Sequence, residues 1–204
     1  MRLPNAEHER LPWRIHALVP DFTLEDVWTL PTPGAREDFD ELLELLGGLD
    51  PAHAESGPTR LLWNFRDSLG RWFDLGEVST SVDGPQADAL PIPGEEEVSL
   101  RHRLPPDLAS EQAPAPSFGS LPFIALYRTE DEAAAEVSNK TMHGVAHLSW
   151  VDAGHGCYEG RLAVYVKTRG IFGRSYMAAI KPFRHWIVYP ALMQQIAREW
   201  RERL

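Results

Sequence analysis

From Gly170 to Leu204 apolar residues return every three or four positions: Tyr176, Ile180, Phe183, Ile187, Met193, Ile196 and Trp200, with one longer step across Pro190. A helix with such a stripe must bury it, and it needs an extended surface to lie on. The only one ahead of it is a run of strand-like segments between about residues 122 and 167. A long terminal helix laid across an antiparallel sheet is therefore the expected framework. Pro182 and Pro190 each remove a helix hydrogen bond, so a kink or break is expected near them.

The strands themselves are read from period-two patterns. Leu121 to Tyr127 is a continuous apolar run, as suits a strand covered on both faces. Residues 130–137 are ambiguous: Thr129 to Glu132 fits a helical capping box and Ala133 to Ala135 favour helix, whereas Val137 to Lys140 reads as a strand end and turn. The strand is taken here. From Thr141 to Asp152, Met142, Gly144, Ala146, Leu148 and Trp150 share one face, and Thr141, His143, Val145, His147 and Ser149 share the other. A turn at residues 152–156 then leads to a second alternating strand, Tyr158 to Lys167, giving a hairpin expected to be polar on one side.

Ahead of the sheet the pattern is mixed. Residues 1–12 are polar and unpatterned, a flexible arm, and residues 13–204 form a single domain. Trp13 to Leu18 alternates as a first strand, and Phe22 to Leu30 reads as a short amphipathic turn. Two helices follow, Glu37 to Leu46, stopped by Gly47 and Gly48, and Thr59 to Leu75. Residues 84–97 and 105–120 are Pro-, Ala- and acid-rich loops around an exposed strand, Val98 to Leu104.

Composition excludes several functions. A hydrophobic content of 43 % with seven Trp and eight Phe supports a sizeable core. The net charge of −10 argues against a protein that grips nucleic-acid phosphates. Nine Lys or Arg against two Glu lie from Arg161 onward, so the acidic excess belongs entirely to the preceding part. A basic tail against an acidic body is the simpler reading; contact of a basic, aromatic helix with an anionic membrane surface is the other. Cys157 is alone, no signal-peptide pattern opens the chain and no run of eighteen apolar residues occurs. No membrane span and a cytoplasmic location are expected.

Chemistry-bearing patterns are few. His143 and His147 stand four apart; on a strand that spacing is about 13 Å, too far to share a metal ion, and Gly144 replaces the glutamate of a zinc-protease helix. No metal or cofactor is expected. Each imidazole is then either a satisfied polar residue or one that faces a ligand and binds or protonates it. Tyr127, Arg128, Glu130, Glu132, Tyr158 and Tyr165 on neighbouring strands would supply polar anchors to an apolar pocket if they point inward, and cross-strand pairs on a solvated face otherwise. No nucleophile elbow, phosphate loop or glycine-rich dinucleotide fingerprint is present, so the catalytic residues are unknown.

Strand, two helices, antiparallel strands and a long C-terminal helix is the element order of the helix-grip fold, and the chain resembles the START/Bet v 1-like (SRPBCC) superfamily. The stretches AEVSNKTMHGVAHLSWV and GRSYMAAIKPFRHWIVYPALM resemble the DUF2867 family of uncharacterised bacterial proteins, over roughly residues 13–202. The resemblance implies an α+β fold, a curved antiparallel sheet wrapped around the C-terminal helix, with two short helices after the first strand. It also implies a cavity between sheet and helix, with Trp186 and Tyr189 at its mouth; otherwise those aromatics are core. Tyr127, His143, His147, Tyr165, Trp186 and Tyr189 are the candidate ligand-binding residues. The expected function is binding of a small hydrophobic molecule. Its alternatives are a cyclase- or dehydratase-like enzyme, or a partner module of a nearby reductase, a domain behind which DUF2867 also occurs.

Overall fold

The computed structural model of the chain is described for residues 1–48, 99–110, 123–138 and 142–203. These residues form an α+β structure around a six-stranded antiparallel sheet. The strands are β1 (Arg2–Leu3), β2 (Thr23–Thr29), β3 (Ile124–Arg128), β4 (Glu132–Ser138), β5 (Met142–Gly154) and β6 (Cys157–Thr168), in the order β1-β2-β6-β5-β4-β3. The helices are α1 (Asn5–Glu9), α2 (Ile15–Leu18), α3 (Phe39–Gly48), α4 (Pro106–Ser110), α5 (Gly170–Phe183) and α6 (Tyr189–Arg203). Between α5 and α6 a π-helical turn, Arg184–Val188, lies in the interval between the two prolines.

Both faces of the sheet are covered. On one face Ala133, Ala135, Ala146, Leu148 and Trp150 pack against Phe39, Leu42, Leu45 and Leu46 of α3 and against Ile196 and Trp200 of α6. Trp150 and Trp200 also donate indole hydrogen bonds, of 2.9 Å to the Ala35 carbonyl and 3.0 Å to that of Pro33, which pin the loop ahead of α3. On the other face Ala134, Val145, Ala163 and Tyr165 meet Ile15, Leu18 and Val19 from the N-terminal segment and Leu100 and Leu108 from the segment around α4. Burying a side chain of this size contributes about 1.5–3 kcal/mol. The alanine run of β4 favours helix by propensity. It is a strand because all three alanines are fully buried between the two layers, where only small side chains fit.

Several sequence expectations change. Trp13 to Leu18 is not a strand: Ile15, Leu18 and Val19 are the buried residues, a helical spacing. Phe22 to Leu30 is not a turn but holds β2, which pairs with β1 and β6. Of the strand expected over Val98 to Leu104, the described residues 99–104 form no strand. Residues Leu100–Arg103 form a 3₁₀ turn, and Ser99 caps it by accepting from the Arg101 amide at 3.2 Å. Residues 1–12 are not a loose arm, since they supply β1 and α1 and bury His8. The side of the β5–β6 hairpin carrying His143, His147 and Ser149 is not solvated; all three are fully buried. The expected helix from Thr59 to Leu75 lies outside the described residues. The turn at residues 152–156 is present, with Gly154, His155 and Gly156 all at positive φ.

Candidate functional site

Two carboxylates on β4 face two imidazoles on β5, and the arrangement repeats. Glu132 and Glu136 are four apart, as are His143 and His147, so each set lies on one face of its strand. The register sets Glu132 opposite Ser149 and Glu136 opposite Val145. Each glutamate therefore reaches diagonally to the histidine two residues from its direct partner, a distance long side chains span. The Nε2 of His147 lies 2.8 Å from Oε2 of Glu132, and the Nε2 of His143 lies 2.9 Å from Oε2 of Glu136.

The Glu132 pair is the more elaborate. Its carboxylate also accepts from the Tyr127 hydroxyl at 2.8 Å and from the Arg14 amide at 2.8 Å. Burial would raise the Glu132 carboxyl, but the hydrogen bonds from His147, Arg14 and Tyr127 outweigh it and hold it below the ordinary range. Burial lowers His147 in turn, against the pull of Glu132. The pair is thus a carboxylate and a neutral imidazole. With Nε2–H donated to Glu132, Nδ1 of His147 presents a lone pair, and it has no hydrogen-bond partner among the described residues. The Tyr127 phenol is raised by burial and by Glu132, so it stays a donor.

Glu136 is organised alike. It accepts from the Ser99 hydroxyl and from the Leu100 amide, the latter at 3.1 Å. Since both neighbours donate, His143 meets an acceptor too and its Nε2 carries the hydrogen; Nδ1 of His143 likewise has no partner. Phe22 packs edge-on against this imidazole at 5.0 Å.

The N-terminal segment closes over the first pair. His8 on α1 is fully buried and its Nε2 lies 3.0 Å from the Tyr165 hydroxyl. Its ring sits 5.1 Å from that of His147 and 5.5 Å from that of His16. Burial, with His147, His16 and Arg161 nearby, pushes His8 down to about 3.

A second polar centre lies on the opposite face, under the π turn. Asp26 on β2 is fully buried and accepts from Arg184 Nη2 at 2.8 Å and His185 Nε2 at 2.6 Å, with the Tyr189 hydroxyl at 3.5 Å. Tyr189 stacks on Trp28 at 4.6 Å. These contacts fasten the kinked terminal helix to the sheet. Beside them an open groove of about 570 Å³ runs along β1 and β2, bordered by Arg2, Glu25 and Lys181.

Of the six residues singled out from sequence, Tyr127, His143, His147 and Tyr165 come together, on the face turned away from α6. That is not the expected side: between sheet and α6 the space at Leu148 and Trp150 is taken by Phe39, Leu42, Ile196 and Trp200. Tyr189 is buried at the Asp26 centre, and Trp186 is 81 % exposed. The residues missed are His8, Trp13, Ser99, Glu136 and Asp26. Glu136 had a usable signal, because its spacing from Glu132 equals that of the two histidines across the turn. The others reach the site only through tertiary packing. Among the described residues no group of three or more metal-ligating side chains converges, and no helix is long and apolar enough to cross a membrane.

Residues 18–191 match the family model described as "Protein of unknown function (DUF2867)". The match spans both Glu–His pairs and the Asp26 centre, while His8 and Trp13 precede it. No curated protein and no solved structure matches the chain.

Proposed function

Because the chain belongs to the DUF2867 family, whose description assigns no activity, we propose a function from its geometry: the Glu–His face of the sheet binds a small, largely apolar molecule, to which His143 and His147 offer two separate polar contacts. The observation that carries this reading is the repeated pair. Two carboxylates each lock one imidazole nitrogen and leave the other without a partner at full burial. A face built only for stability gains more from apolar side chains than from four buried ionisable ones. Buried, paired ionisable side chains of this kind concentrate at functional sites.

The pairing of β2 with β6, so that the chain's first long strand adjoins its last, and the terminal helix across one face support a helix-grip, START/Bet v 1-like assignment. In this chain the binding surface is the face opposite the helix. The test is titration of the full chain with 2-naphthol, followed by the imidazole ¹⁵N signals, with native mass spectrometry for molecules retained through purification. Binding that moves the His143 or His147 signals, and that weakens in the H143Q/H147Q double variant, is the expected result. A retained or added ligand that leaves both signals unmoved and binds the double variant as tightly as the native chain overturns the reading.

The Glu132–His147 pair also favours a second reading, an enzyme that moves protons. Nδ1 of His147 would take a proton from carbon next to a carbonyl, the C–H electrons passing into an enolate while Nε2–H stays on Glu132. Exchange of deuterium into 2-tetralone, lost in H147Q, tests it; exchange at the uncatalysed rate in the native chain overturns it.

A further inference from the structure

Trp13, His8 and His147 form a triangle of rings, with centroids 5.1 Å apart for His8 and His147, 5.7 Å for Trp13 and His147, and 6.3 Å for His8 and Trp13. Each ring carries a buried nitrogen with no hydrogen-bond partner among the described residues: Nε1 of Trp13, Nδ1 of His8 and Nδ1 of His147. Ser149, two residues beyond His147 on the same strand face and fully buried, adds a hydroxyl in the same condition. Buried polar atoms are nearly always paired, so three orphans on one triangle of rings, with a fourth two residues along the same strand face, ask for a common explanation. Ring packing accounts for the spacing of the rings but satisfies none of the nitrogens.

Resting on the Glu–His face as the binding surface, we infer that these four groups form a seat for one hydroxyl group of the ligand, an alcohol or phenol, and that the N-terminal segment completes the seat. The chemistry of the donors and acceptors selects the class. His147 Nδ1 is a lone pair, because Nε2–H is committed to Glu132, so the ligand atom there must donate. Trp13 Nε1 can only donate, so the same atom must also accept. Ser149 and His8 serve in either sense. A hydroxyl donates one hydrogen and accepts through its lone pairs, and so meets both fixed requirements. A carboxylate would set its charge against the His147 lone pair with Glu132 behind it. An ammonium offers Trp13 no acceptor. Two of the four groups, His8 and Trp13, come from the N-terminal segment, whose Arg14 amide is tied to Glu132 and whose His8 is tied to Tyr165. The seat therefore exists only with that segment in place.

The experiment compares 2-naphthol, naphthalene, 2-naphthoate and 2-naphthylmethylammonium on the native full chain and on W13F, which keeps an apolar ring and removes the indole donor. The native chain is expected to bind 2-naphthol about fivefold to tenfold more tightly than naphthalene, and the two ionic probes more weakly than 2-naphthol. W13F is expected to erase most of the hydroxyl preference, read as the ratio of 2-naphthol to naphthalene affinity, as loss of one hydrogen bond requires. Equal binding of 2-naphthol and naphthalene that still moves the His143 and His147 ¹⁵N signals overturns the seat and leaves the binding face standing. So does a preference that survives W13F intact. If none of the four probes moves either imidazole signal, the binding face falls and the seat with it.

Discussion

Lowering the pH from 7.5 to 5.0 destabilises the Glu–His face. His8 and His147 are both fully buried and both held neutral, His8 down to about 3 and His147 lowered by burial. In the unfolded chain each takes up a proton near its ordinary value of about 6.5. Their folded values lie below the unfolded ones, so the unfolded state binds more protons throughout the interval between them. Stability is therefore complete above about pH 6.5 and falls as the pH drops below it, with a limiting slope of about 1.4 kcal/mol per pH unit for each histidine. Between pH 7.5 and 5.0 that amounts to about 2 kcal/mol for His8, against a typical total of about 5–15 kcal/mol, and His147 adds a loss of the same sign. The buried Glu132 carboxylate does not confound this window. Its folded value is lowered, so its contribution is lost only as the pH falls below the ordinary carboxylate value, near 4.5. Urea denaturation at the two pH values measures the difference, and H8Q isolates one group, because glutamine can still bond Tyr165 but does not titrate. The native chain is expected to lose at least about 2 kcal/mol over the window, and H8Q about 2 kcal/mol less than the native chain. Equal stability of the native chain at both pH values, or an unchanged loss in H8Q, would refute the argument that these imidazoles are buried as neutral groups.

Three further outcomes follow from packing. Gly160→Ala would bring its Cβ within 2.7 Å of Leu42 Cδ2 and 2.9 Å of Thr32 Oγ1, so β6 and the loop before α3 must part; thermal unfolding should show a loss of about 1–3 kcal/mol. Asp26→Ala leaves the Arg184 and His185 donors without their buried acceptor, and urea denaturation should show about 3 kcal/mol lost, with hydrogen exchange speeding first in the π turn. Tyr127→Phe removes one donor from Glu132 and should cost about 1 kcal/mol by the same measurement, without altering the pH slope assigned to His8.

Sequence periodicity was informative where elements are long. The hairpin of β5 and β6 and the terminal helix each repeat their pattern over ten or more residues, enough for alternation or the helical stripe to identify them. It failed for α2, β2 and the 3₁₀ turn at Leu100–Arg103, which span four, seven and four residues. In so short a window, alternation and helical spacing fit the same residues, and the neighbours each segment packs against decide between them. The site divides in the same way. Alternation put His143 and His147 on one face and Tyr127 and Tyr165 among the candidates, because strand geometry is local. It does not say whether that face meets water, because polar side chains fit a solvated face and a sealed, paired one alike.

What the amino-acid order alone determined is which side chains share a strand face and which stripe the last helix must bury. Only the tertiary structure decided that α3 and α6 fill one side of the sheet, and that the polar side is sealed by residues 1–22 and 99–110. The physical reason is range. A strand's two faces follow from its own backbone, but the solvent exposure of Glu132 and His147 depends on His8 and Arg14, more than a hundred residues away in the chain, whose own patterns carry no record of where they dock.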